Sequence, residues 1–179
     1  MMFGASARYF SIKQICNKYM KYKTETTIFA LALVLRLILI VFLYQKVGPQ
    51  YYTDAGTVDT LTYLGSAEGI VQGKGFTFWG YTSAVRTPIY PLFLSVFYLF
   101  HIPIFVVPFV QIMFASLSAV VLYRIGGLFL SPKVGLIAGI LFAIEPYNLF
   151  YSTIIMSESL FILLFLLSIY SFGKWYETV

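Results

Sequence analysis

The stretch TIFALALVLRLILIVFLY, Thr27 to Tyr44, restricts the possible folds of this chain more than any other feature. It is apolar throughout except for Arg36, and it is long enough for a helix to cross a bilayer core, which takes roughly 18 to 20 residues. Apolar blocks recur at 104–123, 134–151 and 154–173, with a weaker one at 87–102. Of the 179 residues, 60% are hydrophobic and 11% charged, and a soluble domain of that size has too little interior to hide so much apolar surface. The chain reads as an all-α polytopic membrane protein.

Charge sets the direction of threading. Arg8, Lys13, Lys18, Lys21 and Lys23 precede the first span against one acid, Glu25, which places the N-terminus in the cytoplasm. The net charge of +5 follows from this positive-inside bias, and no nucleic-acid partner is expected. Cys16 is alone, so neither a disulfide framework nor a cysteine metal site is available. The leading segment is too long, and the run after it too uncut, for a plain cleaved signal peptide.

If every apolar block crossed the membrane, Arg124 and Lys133 would fall outside, against the charge rule. The block TPIYPLFLSVFYLFHI is short, opens with Pro88 and Pro91, and ends in His101 before Pro103. Laying it flat in the outer interface restores the rule. The expected architecture is then about four transmembrane helices plus outer-face interfacial helices in the first loop. The spans fall near Thr27–Tyr44, Phe105–Tyr123, Val134–Tyr151 and Ile154–Phe172, with a cytoplasmic turn RIGGLFLSPK between the second and third. Residues 1–26 form a cytoplasmic basic segment, 27–173 the transmembrane region with its first outer loop at about 45–104, and 174–179 a cytoplasmic tail. This describes a multi-pass protein of the cell membrane with both termini inside.

Under that threading Asp54, Asp59, Glu68 and Glu158 gather at the outer face, and Glu145 lies in the outer half of the third span. A helix starting near Asp59 in DTLTYLGSAEGIVQGKGF lines up Asp59, Tyr63, Ser66 and Ile70 on one face. Leu61, Leu64 and Val71 are left to rest on the interface. Gly73 and Gly75 would stop the helix, and Phe76, Phe78 and Trp79 would re-anchor the chain. Taken singly, Asp59 also reads as an N-cap or solvated loop acid, and Glu158 as a first-turn acid complementing a helix dipole. His101 is the only histidine, so a histidine metal site or a Ser-His-Asp triad has no support. The GKG at 73–75 lacks the spacing of a phosphate loop.

Arg36 stands mid-span, where an arginine costs on the order of 2.5–3.5 kcal/mol to insert. It needs a partner. Glu145 is at comparable depth and is expected to pair with it or share a polar network, while Pro146 frees backbone carbonyls that a guanidinium can take. An architectural role outweighs a chemical one for both residues.

Three segments, DTLTYLGSAEGIVQGKGF, RTPIYPLF and EPYNLFYSTIIMSESLF, resemble the N-terminal part of GT-C type glycosyltransferases, most closely the group of protein O-mannosyltransferases and the lipid A aminoarabinose transferase. The combination D-x3-Y-x3-A-x5-G-x-G-F, then R-T-P-x-Y-P, after an Arg-bearing first span carries the likeness, and no single piece does. The resemblance implies sugar transfer from a polyprenyl-phosphate donor to a lipid, glycan or protein acceptor at the outer face. By the same resemblance Asp59 falls on the general base, which takes the acceptor proton as sugar C1 is attacked with inversion. Arg86 falls on the cation that binds the donor phosphate. Glu158 falls on a second acid that orients the acceptor, assists a divalent metal or holds the loop; no cofactor is required beyond that open role for a metal. Tyr63, one turn from Asp59, either bonds the base or a sugar hydroxyl or anchors at the interface. Family members carry more spans, so the expectation is an N-terminal part: a fragment, a truncated gene product or half of a two-chain assembly, with activity of the chain alone an open question.

The rival class is a non-catalytic membrane module, either an assembly partner or a small transporter subunit. A transporter gathers polar groups near the midplane, and here only Arg36 and Glu145 lie deep. The remaining acids cluster at one face, which favours chemistry or binding there.

Overall fold

The computed structural model describes residues 3–54, 58–78, 81–82 and 86–179, with side chains from Tyr22 onward except those of Phe78 and Thr82. The side chains of Arg8, Lys13, Cys16, Lys18 and Lys21, and the anchoring expected of Phe78 and Trp79, lie outside that set. Three helical stretches are long and apolar enough to cross a membrane: Tyr22–Val47, Ile104–Phe129 and Glu158–Tyr176. Ile89–Leu99 and Pro132–Ile144 are shorter apolar helices. The chain is a multi-pass membrane protein.

Helix α1 runs from Phe3 to Val47 without a break at the expected boundary near residue 26. Thr26 and Thr27 remain helical there by donating their hydroxyls back to Tyr22 O (2.9 Å) and Lys23 O (2.8 Å). Gly48, at φ 112°, ends the helix in a conformation that only glycine adopts cheaply. The short α2 (Tyr51–Asp54) and then α3 (Val58–Val71) follow. Gly73 closes α3 at φ 72°, with Lys74 N–H bonded to Gly69 O (2.8 Å) and Gly73 N–H to Ile70 O (3.1 Å), the paired bonds of a Schellman stop. A two-residue antiparallel ladder, β1 (Thr77–Phe78) with β2 (Tyr81–Thr82), is an addition to the all-helical expectation.

Helix α4 (Ile89–Leu99) packs on α3. Its end repeats the Schellman pattern with His101 rather than glycine in the left-handed position, at φ 53°, and Ile102 N–H bonded to Phe97 O (2.8 Å). After a 3-10 turn at Ile104–Val106, α5 (Val107–Phe129) forms the centre of the bundle. It contacts α1, α6 and α8.

The expected loop RIGGLFLSPK is mostly helix. Helix α5 continues to Phe129, and α6 (Pro132–Ile144) begins three residues later, N-capped by Ser131 Oγ on Val134 N–H (3.3 Å) with Pro132 in the first turn. Two glycines make so tight a hairpin feasible. A Cβ on Gly126 would meet Gly135 Cα at 2.5 Å, and one on Gly135 would meet Tyr123 O at 2.3 Å.

The expected third span, 134–151, is broken. Glu145 leaves the helical conformation, Pro146 starts α7 (Pro146–Tyr151), and Glu145 caps α7 by accepting from Tyr147 N–H (3.0 Å) and Asn148 N–H (2.6 Å). The fourth helix starts later than residue 154: α8 covers Glu158–Tyr176, after an irregular stretch whose residues Ser152 to Met156 are all buried. Thus α1 runs one way, α5 returns, α6 with α7 goes back up beside α5, and α8 descends to bring Gly173 against Leu128 and Phe129. Glu25 and Arg124 meet at one end, their two bonds measuring 2.7 and 3.0 Å. The opposite end carries α2, α3, α4 and the 152–157 turn.

Candidate active site at the Asp59 face

Asp59 lies in the first turn of α3, and Arg86 precedes α4. The two side chains form an ion pair from Arg86 Nη2 to Asp59 Oδ1, each about a third exposed. The Arg86 guanidinium also lies over the Tyr63 ring, 5.8 Å from its centroid, a distance at which a cation is attracted to the ring face. Arg86 Nε is buried and has no hydrogen-bond partner among the described residues. The helical spacing of Asp59 and Tyr63 and the approach of α4 together build this group.

Tyr63 is not on a solvated face of α3. Thr60, Tyr63, Ser66 and Ala67 are buried against α4 and the 154–156 stretch, whereas Leu61 and Val71 are exposed. The polar face expected from the sequence is therefore the packing face, and the exposed leucine side is the one free to meet lipid. Tyr63 and Tyr90 make a T-shaped contact with centroids 4.8 Å apart. The Tyr63 hydroxyl and Ser157 Oγ are 3.0 Å apart, so α3 is tied to the residue that precedes Glu158.

The irregular stretch 152–157 is held from every side. Thr60 Oγ1 donates to Ile155 O (3.1 Å), Gln111 Nε2 to Ile154 O (2.6 Å), and Ile155 N–H to Tyr52 O (3.2 Å). Tyr90 in turn donates to Gln111 Oε1 (2.6 Å). Burial pushes the Tyr90 phenol well above its ordinary range, and the Glu158 carboxylate and Tyr63 add to the shift, so the phenol stays the donor in this bond. Buried carbonyls outside regular structure need such donors, since each one left unpaired costs about 1–3 kcal/mol. Thr60, Tyr90, Gln111 and Ser157 have no role assigned from the sequence; the available signals were Gln111, an amide inside an apolar span, and Tyr90, the tyrosine of R-T-P-x-Y-P.

Glu158 opens α8 and has one oxygen, Oε2, buried without a hydrogen-bond partner among the described residues. It does not share the Arg86 ion pair. With Glu145, Tyr147, Asn148 and Tyr151 it lines an open cavity of about 400 Å³ beside α5. No group of three or more histidine, cysteine, aspartate or glutamate side chains forms among the described residues.

Arg36 and Glu145 are joined through a third residue and not by a direct ion pair. Arg36, fully buried, donates to Ser152 Oγ (3.1 Å), Ala32 O (2.9 Å), Ala143 O (3.4 Å) and Asn148 Oδ1 (3.5 Å). Glu145 holds the backbone N–H of the same Asn148. Ala143 O is available because the Tyr147 N–H that would have bonded it in a continuous helix goes to Glu145. The guanidinium takes the carbonyl released by the break.

A family model described as dolichyl-phosphate-mannose-protein mannosyltransferase matches residues 85–178, more than half of the chain. Arg86, Glu145 and Glu158 lie inside the match, and Asp59 and Tyr63 precede it. No curated protein and no solved structure matches the chain.

Proposed function

The chain belongs to the dolichyl-phosphate-mannose-protein mannosyltransferase family, membrane glycosyltransferases of the GT-C type, and from that premise we propose that it transfers a sugar from a polyprenyl-phosphate donor to an acceptor hydroxyl at the Asp59 face. That face is the outer one. Asp59 takes the acceptor proton while the acceptor oxygen bonds to sugar C1 and the C1–O bond to the phosphate breaks. The electron pair leaves on the phosphate oxygen, whose charge the Arg86 guanidinium offsets. Direct displacement inverts C1. Glu158 serves as the second acid, orienting the acceptor from the first turn of α8.

The observation that carries this reading is the meeting of Asp59 and Arg86, which come from separate elements 27 residues apart. A base and a phosphate-binding cation must act within one substrate's length, and this pair supplies both. Tyr63 supports them: its ring underlies the cation and its hydroxyl reaches Ser157.

The test is transfer of a radiolabelled sugar from a polyprenyl-phosphate donor by the purified chain, with Asp59→Asn beside it. A general base contributes about 10²–10⁴-fold, and a fall of that size is expected. Unchanged transfer would remove Asp59 as the base.

A further inference from the structure

Asp59 and Arg86 are given separate tasks by the proposed reaction, yet in the structure they pair with each other. A carboxylate bonded to a guanidinium is a weakened proton acceptor, because the partner favours its charged form. A guanidinium bonded to a carboxylate has correspondingly less to offer a phosphate. We infer that the Asp59–Arg86 ion pair is the resting arrangement of the site, and that the donor's phosphate competes with Asp59 for Arg86, so that the base is released when the donor binds. The inference rests on the proposed function above for the identity of the donor.

Three observations support it. The pair is about a third exposed on both sides, so an incoming anion can reach it. Arg86 Nε is buried and has no hydrogen-bond partner among the described residues, so a phosphate that displaces the Asp59 carboxylate finds a second N–H uncommitted beside Nη2. The guanidinium also rests on the Tyr63 ring, which keeps it in place when the carboxylate lets go. Tyr63 is itself held by Tyr90 and Ser157. An anchored cation facing two anions at one position binds them in competition. The consequence is an order of binding, in which donor precedes proton abstraction and the acceptor meets a carboxylate no longer held by Arg86 only when a sugar is present.

The competition predicts an effect opposite in sign to the effect on catalysis. Removing the Asp59 charge lowers transfer but strengthens binding of the donor phosphate. Dissociation constants for dolichyl phosphate, and for dolichol as the phosphate-free control, are measured in detergent by intrinsic fluorescence for the wild-type chain, Asp59→Asn and Asp59→Ser. Both variants are expected to bind dolichyl phosphate roughly two- to fivefold more tightly, the range for releasing a partly exposed ion pair. Dolichol binding should not move. Unchanged or weaker binding of dolichyl phosphate in both variants overturns the competition, as does a parallel gain for dolichol. A wild-type chain that binds dolichyl phosphate no better than dolichol overturns the donor class itself, and with it the inference. Tighter binding in one variant alone also counts against the inference, because loss of the carboxylate is common to both.

Discussion

The Tyr63 hydroxyl and the Ser157 hydroxyl lie 3.0 Å apart, joining residues separated by 94 positions in the chain. This bond fastens the start of α8 to α3, and on the same tyrosine the ring carries Arg86. One residue thus couples the acid–cation pair to the helix that bears Glu158.

Tyr63→Phe keeps the ring under Arg86 and against Tyr90 and removes only the hydroxyl. It should lower stability by about 0.5–1.5 kcal/mol, the net worth of one hydrogen bond. Tyr63→Leu also discards the cation–π and aromatic contacts, together about 1–2.5 kcal/mol more. Thermal unfolding in detergent would rank wild type above Phe above Leu. Equal losses for the two variants would mean that the ring contacts contribute nothing.

Arg36 and Glu145 should respond unequally. Arg36→Leu leaves Ala143 O, Asn148 Oδ1 and Ser152 Oγ without their guanidinium donor in a buried site, at about 1–3 kcal/mol for each group left unsatisfied, seen as loss of folded yield. Glu145→Gln keeps a carbonyl oxygen able to accept from α7 and should cost about 1 kcal/mol or less. A direct ion pair would make the two losses alike, so equal yields would contradict the geometry.

The α5–α6 hairpin should reject even a methyl group. Gly135→Ala drives a Cβ to 2.3 Å from Tyr123 O, and backbone cannot swing aside as a long side chain can. A loss of about 1–3 kcal/mol is expected, whereas Gly127→Ala, which meets nothing within 4 Å, should be neutral. The difference in melting temperature between these two variants is the measurement.

Threading is tested by cysteine labelling at Ser95 and Ser131 in a chain where Cys16 is replaced. Ser95 is in α4 at the Asp59 end, and Ser131 is in the turn near Glu25 and Arg124. A membrane-impermeant reagent added outside cells should modify position 95 and leave position 131 untouched. Modification of both from outside would overturn the assignment of the Asp59 face.

Local features were legible along the chain because their causes are local. Apolar length marked the three helices long enough to cross a membrane, and Gly73 marked the end of α3 through its freedom at φ 72°. Pro146 announced a freed carbonyl, though not the break at Glu145 that divides the expected span 134–151, and a buried arginine had to find acceptors wherever they lay. The resemblance carried by RTPIYPLF and SESLF agrees with the family match over 85–178.

What each polar group meets was settled only in three dimensions. Arg36 could have taken Glu145, but the N–H groups of α7 claim that carboxylate first, and the guanidinium received Asn148, Ser152 and Ala143 O instead. Thr60 is unremarkable in sequence, and Gln111 shows only as a lone amide in an apolar span; they matter because an irregular buried turn leaves the carbonyls of Ile154 and Ile155 without helical partners. Asp59 meets Arg86, and Tyr63 meets Ser157, because α3 packs its polar face inward. Hydrophobic length and backbone freedom belong to a residue and its near neighbours. The choice of partner depends on competition among groups far apart in the chain, and only packing brings those competitors together.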